Sequence, residues 1–163
     1  MLKVIVNTTP LIALCHVGQL NLLKKLYSEI MIPRAVYREL SKKKQSICKR
    51  QVDLSLEWIH VKDIENQMAK SMFKTQLHDG EVEVMILAKE RSADIVIIDD
   101  VNAKKYAKYL KLSVTGTLGV LIKAKREGYI SELKPIIQEM IEKNIYISEK
   151  LMKFCLEQVN EEM

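Results

Sequence analysis

Val4 to Val6 is a short β-branched run with no polar alternation, and it ends at Asn7-Thr8-Thr9-Pro10. A run of this kind suits a strand buried on both faces, as in a parallel sheet. Comparable runs at Glu29–Ile32, Trp58–Val61, Ile95–Ile98 and Leu112–Val114 predict four more strands, Ile95–Ile98 being the clearest. Helical spacing fills the intervals. Helices are predicted over Pro10–His16, over Gln19–Tyr27 with Leu20, Leu23 and Leu26 on one stripe, and from Pro33 onward with Val36, Tyr37 and Leu40 as the apolar face. Pro33 is placed here at the first helical position, where proline is common. Asp63–Gln76 is polar and reads as a helix, and His78-Asp79-Gly80 as a turn. Glu81–Arg91 is apolar on most sides, so a well-buried helix is expected. Further helices carry Tyr106, Ala107 and Leu110, then span Leu118–Glu127, Pro135–Lys143 and Ser148–Asn160. Ser41–Gln51 is polar and basic, either a helix extension or a mobile segment.

Short strands alternating with helices mean βαβ units. The expected fold class is α/β, a three-layer α/β/α arrangement around a short-stranded parallel sheet. The functional crevice of such folds lies beyond the carboxyl ends of the strands. A length of 163 residues bounds the chain to one domain, 1–163, with helices in 131–163 packed on it or forming a dimer interface.

Composition adds little to this. The balance of 26 basic and 21 acidic residues leaves a charge of +5, which permits a polyanionic partner without demanding one. Cys15, Cys48 and Cys155 are scattered and lack zinc spacing, which fits a reducing, cytoplasmic setting. No apolar run approaches the roughly 20 residues of a membrane span, so no membrane partner is expected. The opening MLKVIVNTTPLIALCHVG is interrupted by Asn7, Thr8, Thr9 and Pro10 and does not read as a signal peptide.

The strand ends carry the candidate chemistry. Asn7-Thr8-Thr9, Asp99-Asp100 and Thr115-Gly116-Thr117 each follow a predicted strand, Glu81 opens the buried helix, and Glu39 lies in the helix after the second strand. Oxygen donors without a thiolate or imidazole among them suit a hard cation such as Mg²⁺ or Mn²⁺. Each piece also has a plainer role. Asp99-Asp100 can cap the next helix, and Glu81 can simply complement a helix dipole. Glu81 and Glu83, two residues apart, do not share a helix face, so one of them at most faces the site, and Glu81 is favoured. Thr115 and Thr117 are turn or cap residues, or part of a helix N-terminus that holds a phosphate. Lys42, Lys43, Lys44, Lys49 and Arg50 form either a solvated face or a phosphate-binding rim. His16, His60 and His78 are isolated and are not read as ligands.

Taken in order, VNTTPLIAL, IPRAVYREL, LHDGEVEVMILA, IVIIDD and VTGTLGVL resemble the PIN-domain family, which is similar to flap-nuclease folds. The resemblance spans about residues 3 to 128. It implies a Mg²⁺- or Mn²⁺-dependent ribonuclease, RNA as a partner, and in many relatives a toxin paired with a small antitoxin and self-associated. By position it assigns Asn7 to the place of a first acid and Glu39, Glu81 and Asp100 to the acids that follow, with Asp99 as a stand-in for Asp100. Thr8 or Thr9 takes the place of the hydroxyl beside the first acid. Asn7 departs from the family's Asp and contributes no formal charge; Ala103 stands where a fourth acid often lies.

Two function classes follow, with a third behind them. In the first, Glu39, Glu81 and Asp100 are catalytic and hold the metal with help from Asn7 and Asp99. Thr8, Thr9, Thr115, Thr117, Lys104, Lys105 and the 42–50 stretch then bind substrate. No aromatic stacking platform is evident, so weak base preference and clear salt dependence are expected. In the second, the fold is a weak or inactive module that binds RNA or an antitoxin. Receiver and haloacid-dehalogenase-like folds form the third class, but both want Asp where Asn7 stands.

Overall fold

The computed structural model describes residues 1–42, 51–73 and 77–163. In chain order the elements are β1 (Val4–Val6), α1 (Thr8–His16), α2 (Asn21–Tyr27), β2 (Ile30–Pro33), α3 (Arg34–Lys42), β3 (Ile59–Lys62) and α4 (Gln67–Phe73). Then follow α5 (Asp79–Glu90), β4 (Ile95–Ile97), α6 (Val101–Tyr109), β5 (Val114–Thr115), α7 (Thr117–Arg126), α8 (Lys134–Glu142) and α9 (Glu149–Glu157).

The five strands form one sheet in the order β3-β2-β1-β4-β5, with all four pairings parallel. The expected three-layer α/β/α class is the one observed. Val4, Ile5 and Val6 are at most 1% exposed, as are Val96 and Ile97. Burial on both faces is the physical reason these strands show no alternation. From β1 the chain winds outward to β2 and β3, then returns to place β4 on the other side of β1. The β1/β4 boundary is therefore the topological switch point, where a doubly wound sheet opens a crevice at its carboxyl edge. Val6 pairs with Ile97, and the Asn7 amide donates to the Ile97 carbonyl at 3.0 Å. That register brings Asn7 and the Asp99-Asp100 pair to the same edge.

Helix α5 packs on β1 and β2 and carries α3 and α4 beside it, while α7 packs against α1 and α2. The C-terminal helices join the same core through Leu133, Ile137, Met140, Cys155 and Leu156. Glu161 fastens the chain end by accepting from the Leu133 and Lys134 amides at 2.7 and 3.0 Å. Lys143 Nζ donates to the His16 carbonyl, fixing the end of α8 to the end of α1.

Several boundaries differ from the sequence expectation. Pro33 is the last residue of β2, paired with Lys62, and α3 begins one residue later. A proline is tolerated at a strand end because little of the ladder is lost there. His78-Asp79-Gly80 is not a free turn: His78 is the N-cap of α5, and Asp79 and Gly80 are its first helical residues. The last strand is Val114–Thr115 rather than Leu112–Val114, and α7 opens at Thr117. The Ser41–Gln51 expectation falls mainly on residues 43–50, outside the described residues.

Candidate functional site

Asn7 is the N-cap of α1, with extended backbone, yet its side chain makes no cap hydrogen bond to the helix. It is buried, 5% exposed, and its Oδ1 lies toward α5. A β-carbon at Gly80 would stand 3.4 Å from Asn7 Oδ1 and 3.1 Å from Glu39 Oε2. The two oxygens, one from the end of β1 and one from α3, thus crowd against the bare backbone of the first turn of α5. Glu39 is held there by Thr8, whose Oγ1 donates to Glu39 Oε2 at 2.9 Å. Thr8 itself is 2% exposed, so this hydroxyl has little water to turn to.

Glu81, the third residue of α5, completes this corner. Its Oε2 accepts from the His78 amide at 3.3 Å, the reach-back half of a capping box. Burial pushes the Glu81 carboxyl above its ordinary range, while the His78 amide bond opposes the shift. The Asp100 and Glu39 carboxylates push it further up. Three acids from α3, α5 and the end of β4 therefore share one electrostatic neighbourhood. Glu83, two residues along α5, binds elsewhere: it accepts from the Ala35 amide and pairs with Lys70.

The adjacent aspartates divide their tasks. Asp99 Oδ1 accepts from the Thr117 amide at 2.8 Å, and Asp99 Oδ2 from Thr117 Oγ1 at 2.6 Å. A carboxylate at the N-terminus of α7 complements the helix dipole. It also occupies the Thr117 amide and hydroxyl, the groups expected to face a phosphate. Gly116 permits this approach: a β-carbon there would lie 2.7 Å from Asp99 Oδ1 and 3.0 Å from Lys104 Nζ. Asp100 caps α6 instead, with Oδ1 accepting from the Ala103 amide at 2.9 Å. Asp100 is exposed, and Ala103, at the position of the expected fourth acid, is fully buried.

A groove of about 850 Å³ opens beside this edge. Asp99, Lys104, Thr115 and Thr117 line its polar part, and Thr9 also lines it. Most of its remaining wall is apolar, supplied by α1, α7 and the C-terminal helices. Tyr146 and Phe154 contribute to it while remaining 89% and 56% exposed.

The structure thus gathers Asn7, Thr8, Glu39 and Glu81 around the start of α5, while Asp100 caps α6 and its carboxylate raises the Glu81 pKa from there. Asp99, Thr115, Thr117 and Lys104 form a second group on the β5 side. Lys105 is exposed on α6. Lys42 ends α3, and the rest of the 42–50 basic stretch lies outside the described residues. The sequence reading missed the contribution of Gly80 and of the His78 amide. The signal available was the capping-box spacing from His78 to Glu81.

Carboxylates with one amide oxygen are the donor set of a hard divalent cation, so the chemistry of these residues fits Mg²⁺ or Mn²⁺. Among the described residues no three His, Cys, Asp or Glu side chains already stand as a metal-holding group. No described helix is long and apolar enough to cross a membrane.

A family model for the PIN domain matches residues 3–161. No curated protein and no solved structure matches the chain.

Proposed function

The chain belongs to the PIN-domain family and carries its nuclease-type fold, and from that premise we propose that it is a divalent-metal-dependent ribonuclease, the toxin of a toxin–antitoxin pair acting in the cytoplasm. The observation that carries this reading is the meeting of Asn7 Oδ1, Glu39 Oε2 and Glu81 at the first turn of α5, with Asp100 in electrostatic reach.

Glu39, Glu81, Asp100 and Asn7 would hold Mg²⁺ or Mn²⁺. When bound, such an ion supplies a nucleophilic hydroxide and neutralises charge developing on the phosphodiester. The protein's own groups set the conditions. Thr8 orients Glu39, and the His78 amide orients Glu81. Asp100 caps α6 through Oδ1 and remains exposed. Lys104 lies beside Asp99 at the polar part of the groove, and its charge would attract the RNA backbone. The apolar wall of the groove, rimmed by Tyr146 and Phe154, suits an antitoxin segment or a second copy of the chain.

Asn7 supports a second reading. An amide in place of a carboxylate lowers the charge of the site and weakens its hold on a hard cation. On this reading the chain is a weak or inactive module that binds RNA or an antitoxin. Calorimetric titration with Mn²⁺ separates the two. The nuclease reading expects one saturable site, weakened at least about ten-fold by Asp100→Asn. A flat titration of the wild type favours the binding module.

A further inference from the structure

Glu83 is 3% exposed, a buried carboxylate that the proposed chemistry does not use. Its Oε1 accepts from the Ala35 amide at 3.0 Å, and its Oε2 pairs with Lys70 Nζ at 2.6 Å. The need for the first bond is written in the chain. Strand β2 runs straight into α3, and Pro33, the residue before the helix, has no polar side chain to cap it. The first amides of any helix lack partners within it. Glu83 supplies one from a different helix and places a negative charge at the positive end of α3.

The geometry points to Glu83 as a positioning residue of the site. Ala35 and Glu39 are one helical turn apart on the same face of α3. Glu81 precedes Glu83 by two residues on α5. Tying the first turn of α3 to α5 therefore fixes where Glu39 arrives relative to Glu81. Thr8 then sets the Glu39 rotamer, so backbone and side chain are located separately. Lys70 balances the buried charge and brings in α4, but it does not touch α3's amide. The role of Glu83 rests on the nuclease reading, because positioning has meaning only if Glu39 and Glu81 act together.

The test uses the full chain and four variants. Glu83→Leu removes the acceptor. Glu83→Asp keeps the charge but withdraws it from Ala35, and covers the case in which the leucine variant fails to fold. Glu83→Gln retains an oxygen for Ala35, and Lys70→Met removes the ion pair at a cost in stability but leaves the Glu83 bond to the Ala35 amide. Mn²⁺ titration should show affinity lowered about ten-fold or more in Glu83→Leu and Glu83→Asp, within the range seen when a metal ligand loses its support. In RNA cleavage the same variants should lose kcat with KM for RNA unchanged. Glu83→Gln and Lys70→Met should bind Mn²⁺ as the wild type does. Wild-type affinity in folded Glu83→Asp overturns the positioning role alone. A wild-type chain that binds no Mn²⁺ overturns the nuclease reading, and the positioning role with it.

Discussion

Thr8 Oγ1 donates to Glu39 Oε2 at 2.9 Å, across 31 positions of sequence, and so joins the residue after Asn7 to the acid of α3. Both groups lie out of full contact with water, and a hydrogen bond to a carboxylate in such a place is worth more than a surface one. Thr8→Val keeps the shape and removes the donor. It should cost about 1–2 kcal/mol in urea unfolding and weaken Mn²⁺ binding. Thr8→Ser should restore both. Equal unfolding curves for the valine variant and the wild type would show that the bond contributes nothing.

Glu81 makes stability depend on pH in a direction opposite to most carboxylates. Its folded pKa lies above the unfolded value of 4.5 because burial and two neighbouring acids disfavour the charge. The protonated form is thus the better fit to the fold. Its contribution is full below about pH 4.5 and is lost as pH rises through the raised value. In chelator at neutral pH, Glu81→Gln should therefore melt higher than the wild type. The advantage should vanish as pH falls below about 4.5. A glutamine variant less stable at neutral pH would contradict this account of the corner.

Gly116 is required by closeness rather than by backbone angle. Its β-carbon would meet Asp99 Oδ1 at 2.7 Å, closer than carbon and oxygen can stand. Gly116→Ala should push Asp99 off Thr117, uncap α7 and cost about 1–3 kcal/mol. Thermal or urea unfolding measures this directly. Adding Asp99→Asn to Gly116→Ala should cost less than the separate effects predict, since both break one contact.

Asn7→Asp tests whether the corner is an ion site with one charge missing. Asn7 is 5% exposed and lies beside Glu39. In chelator the added buried charge should lower Tm. With Mn²⁺ the variant should gain more Tm than the wild type does, because a ligand that binds only the folded chain stabilises in proportion to its affinity. No difference in the Mn²⁺ response would mean that Asn7 does not face the ion.

The parts of the fold that were legible in the sequence are those set by burial. Val96, Ile97 and Ile98 are apolar in succession because each is fully buried, and the half-buried Ile95 packs against the same core. The glutamates of α5 were separable by helical period alone, and Glu83 does bind elsewhere than Glu81. Features set by tertiary partners were less visible. His78-Asp79-Gly80 has the composition of a turn, and it is Glu81 reaching back to the His78 amide that marks it as a helix start. The Asp99-Asp100 doublet looks equivalent in sequence. The fold separates the two: Asp100 caps α6 through the Ala103 amide, while Asp99 binds Thr117, 18 residues away. Pro33 followed its pairing with Lys62 in the neighbouring strand, a constraint that no local propensity carries.

The most direct measurement is cleavage of end-labelled RNA by the purified chain in Mn²⁺, in Mg²⁺ and in chelator, with Asp100→Asn and Glu81→Gln beside it. The account predicts cleavage that needs the metal and is lost in both variants while their folds remain intact. Cleavage that persists in chelator, or in both variants, would contradict a metal centre at the start of α5.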